Sequence, residues 1–244
     1  MIKIENLKVW VWEKEILKWV SLNFELWKNY CLLWKNWSGK STLSSFLMWH
    51  PNYKHLSWEV SLDWKDLLKL SAEDRSKAGL FLSFQNVPEI QGVKLSEFLR
   101  IIYNISLKNI NPEQKDISPF IFKRHITKFL EELHISETFL DRDLNVWFSW
   151  WEKRKIEILQ MKLIWPKYII LDEIDSWLDL DAFRAVSSML KNISNEHNSL
   201  IIITHYFKIL EYIDVDKVYV MKNWLVERSG WLEMINEIME KGFE

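Results

Sequence analysis

From Ile2 to Val9 apolar and polar residues alternate, Ile2-Lys3-Ile4-Glu5-Asn6-Leu7-Lys8-Val9, and the alternation returns in Val20-Ser21-Leu22-Asn23-Phe24-Glu25-Leu26. A period of two turns one face to a core and the other to solvent, so both stretches are predicted strands of an antiparallel β layer that begins the chain. Tyr30-Cys31-Leu32-Leu33 is instead a continuous apolar run, followed by Ser38-Gly39-Lys40-Ser41-Thr42-Leu43 and a helix-compatible stretch that ends near His50-Pro51. That order predicts a buried strand, a tight loop and a helix. Tyr168-Ile169-Ile170-Leu171 and Leu200-Ile201-Ile202-Ile203 are further buried-strand runs, with a helical stretch from Asp181 to Asn192 between them. Buried strands alternating with helices predict a parallel α/β core. From Asn86 to about Leu163 the chain is mostly charged and helical in pattern, as in Lys123 to Leu133 and Glu152 to Leu163, with Pro88, Pro112 and Pro119 as punctuation. The expected organisation is one α/β domain over residues 1–244, with core and β layer from 1–85 and 164–244 and an inserted helical subdomain from 86–163.

Composition narrows the classes. The chain has 244 residues, 48% hydrophobic and 27% charged, which excludes a disordered chain and leaves room for a sizeable core. Lys and Arg number 32 against 34 Asp and Glu, so the global basic excess of a nucleic-acid binder is missing. The one cysteine, Cys31, excludes an intrachain disulfide and a cysteine-cluster metal site, fits a reducing compartment, and is read as a small buried hydrophobe. Apolar stretches are broken by charge short of the roughly 18 residues a membrane span needs, and residues 1–20 do not resemble a signal peptide. A cytoplasmic protein is the expectation. One feature is abnormal: glycine occurs 5 times in 244 residues where about 7% is usual, while tryptophan occurs 16 times.

Trp34-Lys35-Asn36-Trp37-Ser38-Gly39-Lys40-Ser41 has the spacing of a Walker A phosphate loop, G-x-x-x-x-G-K-[ST], with Trp34 at the first glycine. Such a loop converges backbone N–H groups and a helix N-terminus on phosphates, while the Lys reaches the terminal phosphates and the hydroxyl serves Mg²⁺. Downstream, Ile169-Ile170-Leu171-Asp172-Glu173 is an apolar strand ending in two carboxylates, the Walker B pattern. The first can orient Mg²⁺ and its waters, and the second can take a proton from the attacking water or position it. Phe148-Ser149-Trp150-Trp151-Glu152 precedes this strand and Ser176-Trp177-Leu178-Asp179 follows it; with glycine at the tryptophans they become F-S-G-G-E and S-G-L-D.

With those glycines restored, the chain resembles the ATP-binding cassette (ABC) ATPases along essentially its whole length, and among them the SufC family of the Suf iron-sulfur cluster assembly system. Segments that separate this family from transporter ATPases include His50-Pro51-Asn52-Tyr53, Phe84-Gln85, Asp172-Glu173-Ile174-Asp175-Ser176 and Thr204-His205-Tyr206. The resemblance implies an ABC fold with a RecA-like core, ATP and Mg²⁺ as cofactors, and Asn36, Ser38, Gly39, Lys40, Ser41 and Thr42 as the nucleotide cradle. It implies that Ser41 and Asp172 serve the metal, that Gln85 touches the metal or the attacking water at the hinge to the helical subdomain, that Glu173 is the catalytic carboxylate, and that His205 contacts the γ-phosphate. Ser149 would reach the nucleotide of a second subunit in an ATP-dependent homodimer, with Asp179 coupling the two sites. The implied partners are SufB-like and SufD-like scaffold proteins, with no nucleic acid and no membrane insertion. The alternatives are the ATPase subunit of an ABC transporter and, if the indoles are real, a non-hydrolysing scaffold.

The resemblance sets Trp34, Trp37, Trp150, Trp151 and Trp177 at glycine positions, and Trp19, Trp27, Trp49, Trp58, Trp64, Trp147 and Trp224 as well. The expectation is that the source reads UGA codons as glycine and that a table reading UGA as tryptophan wrote these letters. Trp12 stays open between an adenine-stacking aromatic and a further glycine.

Overall fold

The computed structural model describes residues 1–34, 39–174, 180–194, 197–204, 207–231 and 234–235. The chain begins with β1 (Ile2–Val11), β2 (Lys14–Phe24), β3 (Tyr30–Trp34), α1 (Lys40–Leu47), β4 (Tyr53–Leu56), β5 (Glu59–Leu62) and β6 (Lys65–Asp66). It continues through α2 (Ala72–Lys77), β7 (Leu80–Ser83), β8 (Ile90–Lys94), α3 (Leu95–Ile110), α4 (Pro119–Glu132), β9 (Asp143–Leu144) and α5 (Trp150–Ile164). The last elements are β10 (Tyr168–Asp172), α6 (Leu180–Ile193), β11 (Ser199–Thr204), β12 (Lys217–Lys222) and β13 (Leu225–Gly230). Two compact units result: Met1–Gln85 with Pro166–Ser176 and Ser194–Glu244, and Asn86–Trp165 with Trp177–Ile193.

The first unit holds two sheets. One is an antiparallel layer in the order β2-β1-β5-β6, with β4 also paired to β1. The other is six-stranded, β13-β12-β3-β11-β10-β7, parallel throughout except for β13 at its edge. Every residue of β7, β10 and β11 is buried, which is why they read as unbroken apolar runs: a parallel strand is covered on both faces. Ile170, Ile201 and Leu32 of this sheet belong to the same apolar core as Ile4, Leu17 and Leu22 of the antiparallel layer. Cys31 is fully buried in β3. The pattern places the second strand from Val20, but β2 starts six residues earlier, at Lys14. Leu7 pairs with Val20 while Val9 pairs with Leu17, so three residues of β2 oppose two of β1, and this bulge breaks the alternation.

A buried cation ties α1 down. Arg75 of α2, 2% exposed, donates to Phe46 O at 2.7 Å and Leu47 O at 3.0 Å, the last carbonyls of α1, and to Leu67 O at 2.7 Å and Leu70 O at 3.0 Å. Burial lowers its pKa to about 10, still well above neutrality.

In the second unit α3, α4 and α6 bury one face each, with Leu95, Leu99 and Tyr103 buried on α3, Phe122, Ile126 and Leu130 on α4, and Phe183, Val186 and Leu190 on α6, whereas α5 is buried all round from Arg154 to Leu159. Ser118 caps α4, accepting from Ile121 N, and Pro119 supplies the pre-set φ of its first turn.

Candidate functional site

The loop after β3 enters α1 through Gly39, whose φ of 86° and ψ of 17° are left-handed. A Cβ there would stand 2.9 Å from Ile16 Cγ2 and 3.0 Å from Leu17 Cδ2, so both the backbone angle and the neighbouring β2 require glycine. Gly39 O accepts from Thr42 N and Leu43 N, each at 3.1 Å, which starts the helix. Gly39 brings no capping side chain, and a helix start of this kind presents first-turn N–H groups to an anion. Ser41 is exposed in that turn and Thr42 is buried.

β10 ends where the carboxylates begin. Its neighbours β11 and β7 pair with it in parallel, Leu171 facing Ile202 and Ser83, and Asp172 facing Ile203. Parallel strands end on the same side, so residues just past them meet at one edge of the sheet. Glu173 extends the ladder by one bond, its N–H donating to Ile203 O at 2.9 Å. Gln85 lies two residues past the end of β7, and its Nε2 donates to Glu173 Oε2 at 2.8 Å. Asp172 and Glu173 are 3% and 8% exposed. Glu173 has φ of 50°, a left-handed conformation that a residue with a Cβ holds only at a cost of about 1–3 kcal/mol, a strain that collects at functional sites.

The sequence reading missed Ser44. It lies one helical turn beyond Ser41 on α1, is fully buried, and donates from Oγ to Asp172 Oδ2 at 2.6 Å, with Ser41 O at 3.2 Å from the same oxygen. Its only signal was the i+3 spacing from a phosphate-loop serine, and that acquires meaning only once α1 is set against β10.

Of the residues expected at the site, Gln85, Asp172 and Glu173 come together, with Gly39, Ser41 and Thr42 at the start of the helix that carries Ser44. Asn36, Ser38, Asp179 and His205 lie outside the described residues, as do the side chains of Lys40 and Trp34. Ser149 is in the second unit as the N-cap of α5. It forms a reciprocal capping box with Glu152: Glu152 N donates to Ser149 Oγ at 3.3 Å, and Ser149 N donates to Glu152 Oε2 at 2.7 Å. Its hydroxyl hydrogen is left over for another acceptor.

Mg²⁺ takes hard oxygen donors, usually one or two from protein, and completes its octahedron with phosphate and water. The Ser41 hydroxyl and the Asp172 carboxylate are such donors. No group of three or more His, Cys, Asp or Glu able to hold a metal occurs among the described residues.

No family model matches the chain. It is 39% identical to "Probable ATP-dependent transporter ycf16" of Cyanophora paradoxa over 100% of this chain and 93% of that protein. It is 37% identical to "Iron-sulfur cluster assembly protein SufC" of Plasmodium falciparum over 95% of this chain and 66% of that one. Among solved structures, a dimeric bacterial ABC transporter cassette superposes with a TM-score of 0.77 at 20% identity, covering 95% of this chain and 99% of that chain. The cassette fold together with full-length relatives of this kind makes the chain an ABC ATPase. Within that class it belongs to the SufC family. Among the described residues no helix is long and apolar enough to cross a membrane.

Proposed function

We propose that the chain is the cytoplasmic ATP-hydrolysing subunit of a Suf iron-sulfur cluster assembly complex, driving conformational change in SufB-like and SufD-like scaffolds. The observation that carries the hydrolytic part of this reading is the buried pair at the end of β10, with Asp172 held by Ser44 and Glu173 held by Gln85. The similarity to SufC of Plasmodium falciparum supports the Suf part. Glu173 is the general base toward the attacking water, and Asp172 with Ser41 serves Mg²⁺, which supplies charge neutralisation on the phosphates when bound. Lys40 neutralises the terminal phosphates, and the first-turn N–H groups of α1, with Asn36 and Ser38 before them, cradle the rest. Gln85 keeps Glu173 pointed at the water, and would touch the metal or the attacking water when the nucleotide is bound. His205 contacts the γ-phosphate, and Ser149 and Asp179 complete the site of a second copy.

The name of the Cyanophora paradoxa relative favours a second reading, an ATPase that serves a membrane transporter. Affinity purification of the natively expressed chain distinguishes the two. Soluble SufB-like and SufD-like partners are expected in the eluate, and an integral membrane protein in their place overturns the Suf assignment.

Ser44 gives a sharper test of the metal site. Its hydrogen bond fixes one carboxylate oxygen of Asp172, and bonds to charged groups contribute about 1.5–3 kcal/mol. Ser44→Ala is expected to raise the Mg²⁺ concentration for half-maximal ATPase activity about tenfold while metal-free nucleotide affinity stays at the parent value. An unchanged Mg²⁺ requirement removes Ser44 from the metal site.

A further inference from the structure

Among the described residues, 14 non-glycine residues have positive φ, and eight of them are tryptophans: Trp12, Trp19, Trp27, Trp49, Trp64, Trp147, Trp165 and Trp224. Five of the other six are Asn, Asp or His, whose side chains are the ones commonly found in the left-handed region, and the sixth is Glu173. Tryptophan has no such tolerance: its Cβ meets the following carbonyl as that of any bulky residue does. Seven of the eight are also exposed, Trp147 at 87% and Trp64 at 84%, so burial of the indole does not compensate.

The local motifs around these residues ask for glycine one by one. Val11 pairs with Lys14 across a two-residue loop that opens with Trp12 at φ 58°, the glycine position of a type II′ turn. Leu62 pairs with Lys65 across Asp63-Trp64, at φ 48° and 68°, and Lys222 pairs with Leu225 across Asn223-Trp224, at φ 52° and 66°. Two positive φ angles in a two-residue hairpin make a type I′ turn, whose sequences are Asp-Gly and Asn-Gly. Trp19, at φ 51°, sits in the β1–β2 bulge, where the left-handed residue is glycine. Trp49, at φ 72°, directly follows the C-cap of α1 with Pro51 two residues on, and Trp165, at φ 46° and ψ 62°, ends α5 immediately before Pro166. A left-handed residue followed by proline is how glycine closes a helix. Trp27 and Trp147, at φ 68° and 59°, stand in turns.

We infer that the working protein carries glycine at these eight positions, each encoded by a UGA codon that its source reads as glycine, and that no indole forms there. The backbone makes this assignment without reference to relatives, and it extends to Trp12 and Trp165. Residue 12 therefore offers no aromatic ring to an adenine. The same codon explains why glycine occurs 5 times and tryptophan 16 times in one chain, and it gives glycine to the phosphate loop at 34 and 37.

Protein isolated from its own source, digested and sequenced by tandem mass spectrometry, tests this directly. Glycine is expected in every peptide that spans one of the eight positions, and tryptophan at any one of them overturns the inference for the set. Two synthetic genes give a second readout in one host: the chain as written, and the chain with glycine at all eight sites. The glycine chain is expected to unfold at a higher denaturant midpoint. Equal or greater resistance of the tryptophan chain overturns the inference even where both chains fold.

Discussion

Glu173→Gln, in the chain that carries glycine at its UGA codons, is expected to lower kcat by about 100-fold or more while Mg-ATP affinity stays at the parent value. The amide keeps the shape of the carboxylate and the hydrogen bond from Gln85 can rearrange to its oxygen, but it cannot accept a proton from water; removal of a general base typically costs about 10²–10⁴ in rate. Single-turnover hydrolysis together with calorimetric binding separates chemistry from affinity. Lys40→Ala serves as the contrast: on the proposed role of Lys40 it deletes a charge-assisted phosphate contact, and it is expected to weaken binding itself. Turnover by Glu173→Gln at the parent rate assigns the base elsewhere.

The second large effect concerns two chains. If the nucleotide of one subunit is completed by Ser149 of another, Lys40→Ala and Ser149→Arg variants are each inactive alone, because each pure dimer lacks one component at both sites. Mixing them in equal amounts is expected to restore about a quarter of parent activity, since half of randomly paired symmetric dimers are mixed and each mixed dimer has one complete site of two. Specific activity in the parent should also fall on dilution unless the scaffold partners hold the pair. No recovery on mixing, together with constant specific activity down to a demonstrated monomer, makes the site a property of a single chain.

The parts of the fold written in uninterrupted periodicity were legible. Ile169 to Leu171 and Ile201 to Ile203 are apolar because both faces of a parallel strand are covered, and Asp172 and Glu173 could be read as the polar end of such a strand. The hairpins of β5–β6 and β12–β13 were passed over because Asp63-Trp64 and Asn223-Trp224 do not spell the turn dipeptides that signal them. The first half of β2 was hidden by the extra residue of a bulge whose left-handed position is also written as tryptophan. Of the site, Ser41, Asp172 and Glu173 could be read from motif spacing and Gln85 only from the family resemblance, whereas Ser44 and the Gln85 to Glu173 bond could not be read at all. Both depend on which elements the topology sets side by side, and spacing along one chain does not contain that. The same letters that obscured the turns account physically for the weak motif signal, because glycine is what a phosphate loop or a tight turn contributes to a pattern.

The clamp of Arg75 on the far end of α1 has an electrostatic consequence for the nucleotide. A helix behaves as a dipole with about half a positive charge at its start and half a negative charge at its end, and α1, at eight residues, is only about 12 Å long. An anion bound at Gly39 would feel the attractive pole at contact and the repulsive pole across a short, poorly screened span. The guanidinium of Arg75, seated on the carbonyls of Phe46 and Leu47, places a full positive charge on that repulsive pole. The phosphate end of α1 therefore acts less like one pole of a weak dipole and more like a cationic terminus, with its charge supplied by a side chain that never approaches the ligand.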